Sequence, residues 1–157
     1  MASTVKTIDV DVPVRTAYNQ WTQFEMFPRF MEGVKDIKQL DDRRLHWRAE
    51  IGGREEEWDA EITEQIPDTR IAWRSLNGTP NSGIVTFHPL SENSTRITVQ
   101  IDYEPQGVIE NVGDSLGVLA GRVEGDLKRF KGFIESRGQE TGAWRGEIPR
   151  KGQVKSA

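Results

Sequence analysis

The chain opens on an alternation. Ile8, Val10 and Val12 are apolar while Thr7, Asp9 and Asp11 are polar, the two-residue period of a strand with one wet face. Pro13 ends it and suits the first turn of a helix, in which Val14, Ala17, Tyr18 and Trp21 recur at helical spacing. Phe24, Met26, Phe27, Phe30 and Met31 follow as a dense apolar patch, and Pro28 within it predicts a break and a second short helix. Val34 to Leu40 is a candidate strand. Leu45, Trp47, Ala49 and Ile51 then alternate with Arg44, His46, Arg48 and Glu50. Gly52-Gly53 marks a tight hairpin, after which Arg54, Glu56, Trp58, Ala60 and Ile62 share one parity and Glu55, Glu57, Asp59 and Glu61 the other. Pro67-Asp68 is a turn before the strand of Ile71, Trp73 and Ser75, and Asn77 to Gly83 reads as a loop. Ile84 to Leu90 and Arg96 to Tyr103 complete a set of hairpin-spaced strands, about seven in all, which predicts an antiparallel sheet with one wet face.

After Pro105-Gln106-Gly107 the period changes. Ile109, Val112, Leu116, Leu119, Val123, Leu127, Phe130 and Ile134 step by three or four, a long amphipathic helix closed by Gly138. The fold class is therefore α+β: one strand, two short helices, further strands, and one long helix able to grip a curved sheet around a core or cavity. Trp47, Trp58, Trp73 and Tyr103 sit on the inward parity; Phe87 is ambiguous, because Ile84, Thr86 and Leu90 compete with Val85 and Phe87.

Composition narrows the chemistry. The 157 residues suit one domain, residues 1–138, followed by a Gly- and charge-rich tail, 139–157, whose large apolar groups are Trp144 and Ile148. The net charge of −4 argues against a nucleic-acid partner. With no Cys, disulfides, thiol nucleophiles and thiolate-ligated metals are excluded. Two His, His46 and His88, fall short of the three ligands a catalytic metal usually needs, so no metal and no cofactor is expected. No apolar run approaches the length of a membrane span and no signal peptide is evident, so the expected location is cytoplasmic.

The stretch from Trp21 to Val34, with Trp58-Asp59-Ala60-Glu61-Ile62, Ile71-Ala72-Trp73-Arg74-Ser75, Val85-Thr86-Phe87-His88-Pro89-Leu90 and the final helix, resembles the START-like, helix-grip superfamily also called SRPBCC. Within it the chain is most similar to the polyketide cyclase/dehydrase and coenzyme-Q-binding type, over about residues 3 to 138. The resemblance implies a helix-grip fold with an apolar cavity between sheet and long helix, on a scaffold that serves both binding and catalysis.

Three functions follow as alternatives. The first is binding of a small hydrophobic partner, a lipid, quinone or polyketide-like molecule. Its walls would be Trp47, Trp58, Trp73, Phe87, Tyr103, Leu116 and Val123, with Arg54 and Glu56 as polar groups at the cavity mouth and Phe24, Phe27, Phe30 and Met31 as a gate or a plain plug. The second is a cyclase or dehydrase on a polyketide-like substrate, which needs a proton-moving group inside the cavity; Arg54, Glu56, Tyr103 and His88 are the candidates, but they form no catalytic constellation. The third is an interaction module with a filled core. Gly113-Asp114-Ser115-Leu116-Gly117 matches a nucleophile elbow in letters only, since it lies inside a helical period and no His follows it. Gly113, Gly117, Gly121 and Gly125 recur every four residues, which reads as an opening for a ligand, a close approach of the sheet or a partner, or a break in the helix.

Overall fold

The structure, a computed structural model, describes residues 2–51, 53–78, 80–103 and 112–149. Strand β1 (Ala2–Val10) leads into helix α1 (Val14–Trp21) and a 3-10 turn (Phe24–Arg29) that holds Pro28. Six strands follow: β2 (Val34–Gln39), β3 (Arg44–Ile51), β4 (Arg54–Ile66), β5 (Arg70–Ser75), β6 (Asn81–Ser91) and β7 (Ser94–Tyr103). Helix α2 (Val112–Arg137) closes the order. All seven strands join one antiparallel sheet in the order β1-β7-β6-β5-β4-β3-β2. This is the α+β helix-grip architecture: successive hairpins build the sheet, and the last strand returns to pair with the first.

Parity decides what the sheet buries. Leu45, Ala49, Trp58, Ala60, Ile62, Ile71, Val85, Ile97 and Val99 all point inward and are buried. Phe87 is buried with Val85, which settles the ambiguous parity of β6, and that strand starts at Asn81, inside the stretch read as a loop. From α2, Val123, Leu127, Phe130 and Ile134 return the apolar stripe against this face. Twenty-six residues at 1.5 Å give α2 a length of roughly 39 Å. Its Gly113, Gly117, Gly121 and Gly125 fall within one continuous helix, so the break does not occur. The side chains of 112–119 lie outside the described residues, as do residues 104–111. Among the described residues nothing lies within 4 Å of a Cβ built at Gly121, and the nearest atoms to one at Gly125 are those of the Arg129 guanidinium, not of the sheet.

Residues 139–149 lie folded along α1 as a strap. Gln20 and Thr141 exchange two hydrogen bonds, with Thr141 N–H donating at 2.8 Å. Arg145 lies over the Tyr18 ring and binds both oxygens of Asp68. Ile148 pairs with Gln65 through two backbone bonds of 2.8 Å and is buried in the main core. It caps the part of β4 that extends beyond β3, where the strand would otherwise present unpaired backbone groups.

Candidate functional site

Between the concave face of the sheet and α2 lies a cavity of about 160 Å³. The sheet supplies Leu45, Trp47, Trp58, Ile62, Ile71 and Trp73; α2 supplies Val123 and Leu127; Phe24, Phe27 and Met31 close the side next to the 3-10 turn. Trp47 and Trp58 are directly opposite each other on β3 and β4, and their rings stack almost parallel, 6° apart with centroids at 5.8 Å. Trp73 pairs in register with Gly83 and lies across it: a Cβ there would collide with the indole, so the glycine on β6 is what lets the third tryptophan lie flat against the wall. The Trp47 indole N–H is buried and has no hydrogen-bond partner among the described residues, an uncommon state for a polar atom in a finished core.

The mouth is built differently. Gly33, at φ 88°, turns the chain from the 3-10 segment into β2 and lines the opening with Glu32, Asn81, Arg122 and Asp126. A side chain at Gly33 would strike both the Arg122 guanidinium and the Glu50 carbonyl, and Arg122 Nη1 donates to that carbonyl. Asp126 Oδ1 accepts from the Glu32 N–H at 3.0 Å and from Arg129 Nη2. Arg129 Nε donates to the Phe30 carbonyl at 2.9 Å. Three side chains of one helix face thus hold the corner before β2 and the end of β3. Burial is the largest influence on the Asp126 carboxyl and pushes it up to about 6, against the opposing pull of Arg129, the Glu32 N–H and Arg122.

The sequence of residues 10–131 matches the model of a family described as polyketide cyclase / dehydrase and lipid transport. The chain belongs to this family. An uncharacterised 17.2 kDa protein of Streptomyces lincolnensis is 52% identical over 149 residues, which cover 94% of this chain and 99% of its own. Solved structures share the fold, among them the following two. A START superfamily protein from Mycobacterium smegmatis superposes with a TM-score of 0.73 at 17% identity, over 86% of this chain and 98% of its own. The Zhui aromatase/cyclase of a Streptomyces species gives 0.74 at 14% identity, over 91% and 99%.

Of the residues singled out in this family member from its sequence, Trp47, Trp58, Trp73, Val123, Phe24, Phe27 and Met31 line this cavity. Phe87 does not. It faces inward but is enclosed edge-on by Tyr18 at 5.4 Å and Trp21 at 6.2 Å, so it belongs to the core below the cavity. Phe30 also leaves the group, packing on Phe130 at 5.2 Å and Phe133 at 5.4 Å. Phe24, Phe27 and Phe30 are all buried, and the Phe27 ring contacts both of the others. Glu56 is half-buried and outside the lining, and His88 is exposed on β6. The side chains of Arg54, Tyr103 and Leu116 lie outside the described residues.

Inspection of the sequence missed the mouth: Glu32, Gly33, Asn81, Arg122 and Asp126. One signal was available. Asp126 stands three residues after Val123 and four before Phe130, so it interrupts the apolar stripe of α2, where a charge requires an explanation. Among the described residues no group of His, Asp or Glu is placed to hold a metal ion, and no helix is long and apolar enough to cross a membrane.

Proposed function

We propose that the protein binds a small, largely apolar molecule in the cavity between sheet and α2. The observation that carries this reading is unfilled space walled by Trp47, Trp58 and Trp73 beside an extensive buried core. A dry apolar cavity of about 150 Å³ is enough to take up benzene. This one is similar in volume and open at its mouth, so it suits the end of a flat or chain-like guest. Affinity comes from removing apolar surface from water at about 25 cal/mol per Å², with stacking on the parallel indole pair added to it. The space beside α2 that a filled-core interaction module would lack is present.

The direct test is uptake of the uncharged dye phenylnaphthylamine, read as enhanced and blue-shifted emission. Trp73→Arg places a guanidinium on the wall and should abolish uptake while circular dichroism still reports the folded sheet. Unchanged dye affinity in the folded variant would sink the assignment. Mass spectrometry of freshly purified protein, native and then solvent-extracted, would identify the guest if it co-purifies.

A cyclase or dehydrase activity on a polyketide-like substrate is the second reading. Asp126 favours it: the cavity is not wholly apolar, and this carboxyl can exchange a proton near neutral pH. Ring closure of a poly-β-carbonyl probe, as opposed to its mere retention, would raise this reading above the first.

A further inference from the structure

The mouth contains one group that the fold alone does not account for. Asp126 lines the cavity, and its side chain is only 13% exposed. Both of its hydrogen bonds among the described residues go to Oδ1, from the Glu32 N–H and from Arg129 Nη2. A neutral asparagine could accept the first of these as well, so holding the corner does not demand a carboxylate. The charged groups around Asp126 are Arg122 and Arg129 on its own helix and, across the mouth, Glu32 before β2; Glu50 on β3 offers only its backbone carbonyl there, its carboxylate lying near Lys35. Arg129 is shared with the Glu32 carboxylate at 3.5 Å, and Arg122 is engaged by the Glu50 carbonyl. Neither arginine is devoted to neutralising Asp126, and the burial that raises its carboxyl is not offset. An under-compensated carboxylate beside an apolar cavity is a strong acceptor for a donor brought in by a guest.

We infer that Asp126 is the polar anchor of the cavity, its Oδ2 accepting a hydrogen bond from a hydroxyl group on a ligand whose apolar body lies against Trp47, Trp58 and Trp73. The ligand class is therefore a hydroxylated ring or chain, an alcohol or a phenol, and not a bare hydrocarbon or a carboxylate-ended molecule. A carboxylate would meet Asp126 with like charge, while Arg122 already has its acceptor. The inference rests on the binding reading above and adds the chemistry of the guest's polar end.

The test uses three probes of one shape, naphthalene, naphthol and naphthoate, each displacing phenylnaphthylamine from the full chain. The naphthol hydroxyl stays un-ionised across the range used, so any pH dependence belongs to the protein. At about pH 8, wild-type protein should hold naphthol roughly tenfold more tightly than naphthalene, the size of one hydrogen bond to a charged acceptor, with naphthoate weakest. At about pH 5, with Asp126 protonated, the naphthol advantage should shrink to within roughly threefold. Asp126→Asn should bind naphthalene as wild type does, with the naphthol advantage small and the same at both pH values. Equal affinity for naphthol and naphthalene in the wild type overturns the inference. So does an advantage that survives in Asp126→Asn, or naphthoate as the tightest of the three. If Asp126→Asn does not fold, the wild-type pH series decides on its own. If the dye itself is not taken up, it is the binding reading that falls, and the anchor with it.

Discussion

On the outer face of the sheet, His46 stands between two carboxylates, with Nδ1 2.6 Å from Asp59 Oδ1 and Nε2 2.6 Å from Glu57 Oε1. The pairing follows from register. Asp59 is directly opposite His46 across β3 and β4, and Glu57 is two residues away on the same face. Both ring nitrogens can donate only in the imidazolium. Asp59 first and Glu57 second therefore raise the His46 pKa, while His46, with help from Asn77, lowers that of Asp59. A raised histidine stabilises fully below its unfolded value of 6.5, and that contribution is lost as pH rises through the folded value. A lowered aspartate stabilises above 3.8, and its share is lost as pH falls through its own folded value. The triad thus contributes most between the two titrations. Urea unfolding at about pH 6 and about pH 9 should show wild type losing up to about 1 kcal/mol more than His46→Gln on the alkaline side. An identical loss in both would mean the triad contributes nothing. That this face of the sheet is wet was available from parity alone. The partner of each ring nitrogen was not, because register is set by a hairpin whose exact turn the letters leave open.

At the scale of elements, the glycines of α2 and the strap make opposite cases. Gly121 lies in a helix interior with nothing within 4 Å of where its Cβ would be, so Gly121→Ala should stabilise the fold by up to about 1 kcal/mol, measured by urea unfolding. A destabilised variant would mean that this stretch of helix has a partner or a bend that needs glycine. Gly125 differs, since a Cβ there would come within 3.1 Å of the Arg129 guanidinium that holds the Phe30 carbonyl. Helical periodicity identified the element, but a stripe of small residues by itself does not say what faces it. In the strap, Ile148 is 3% exposed and part of the main core, though it follows a stretch with no regular period. Ile148→Ala should cost about 2–4 kcal/mol in the same assay, as for other buried aliphatic truncations. A cost below about 0.5 kcal/mol, the range of exposed sites, would show that the strap is not held. The sequence marks Trp144 and Ile148 as the apolar residues of this segment. It cannot show the docking, which rests on one backbone bridge and on contacts to residues more than 120 positions away, such as Gln20 to Thr141.

For the molecule as a whole, the architecture was legible because period two and period three-to-four each persist long enough to name every strand and the gripping helix. The cavity wall was legible in part. Parity placed Trp47, Trp58 and Trp73 on one face, but Phe87 has the same parity and lies in the core instead, because depth along a strand decides what covers a side chain. The mouth was not legible. Glu32 and Asp126 meet across 94 positions, and only the packing of α2 over the corner before β2 brings them together. The two ends of β4 also differ. Near its hairpin, the Glu50–Glu55 end lies beside the mouth. Ten residues along, roughly 33 Å at strand rise, Gln65 is sealed under Ile148, with Tyr18 and Phe87 buried nearby. Among the described residues, then, one end of β4 is closed over and the other lies beside the mouth. A guest that enters and leaves by that mouth comes out with the part that entered last leading, so if Asp126 is its anchor, an acceptor outside meets the hydroxylated end before the greasy one. On that reading handover is oriented, and the rim, which grips the final few atoms, sets the dwell time of the whole molecule.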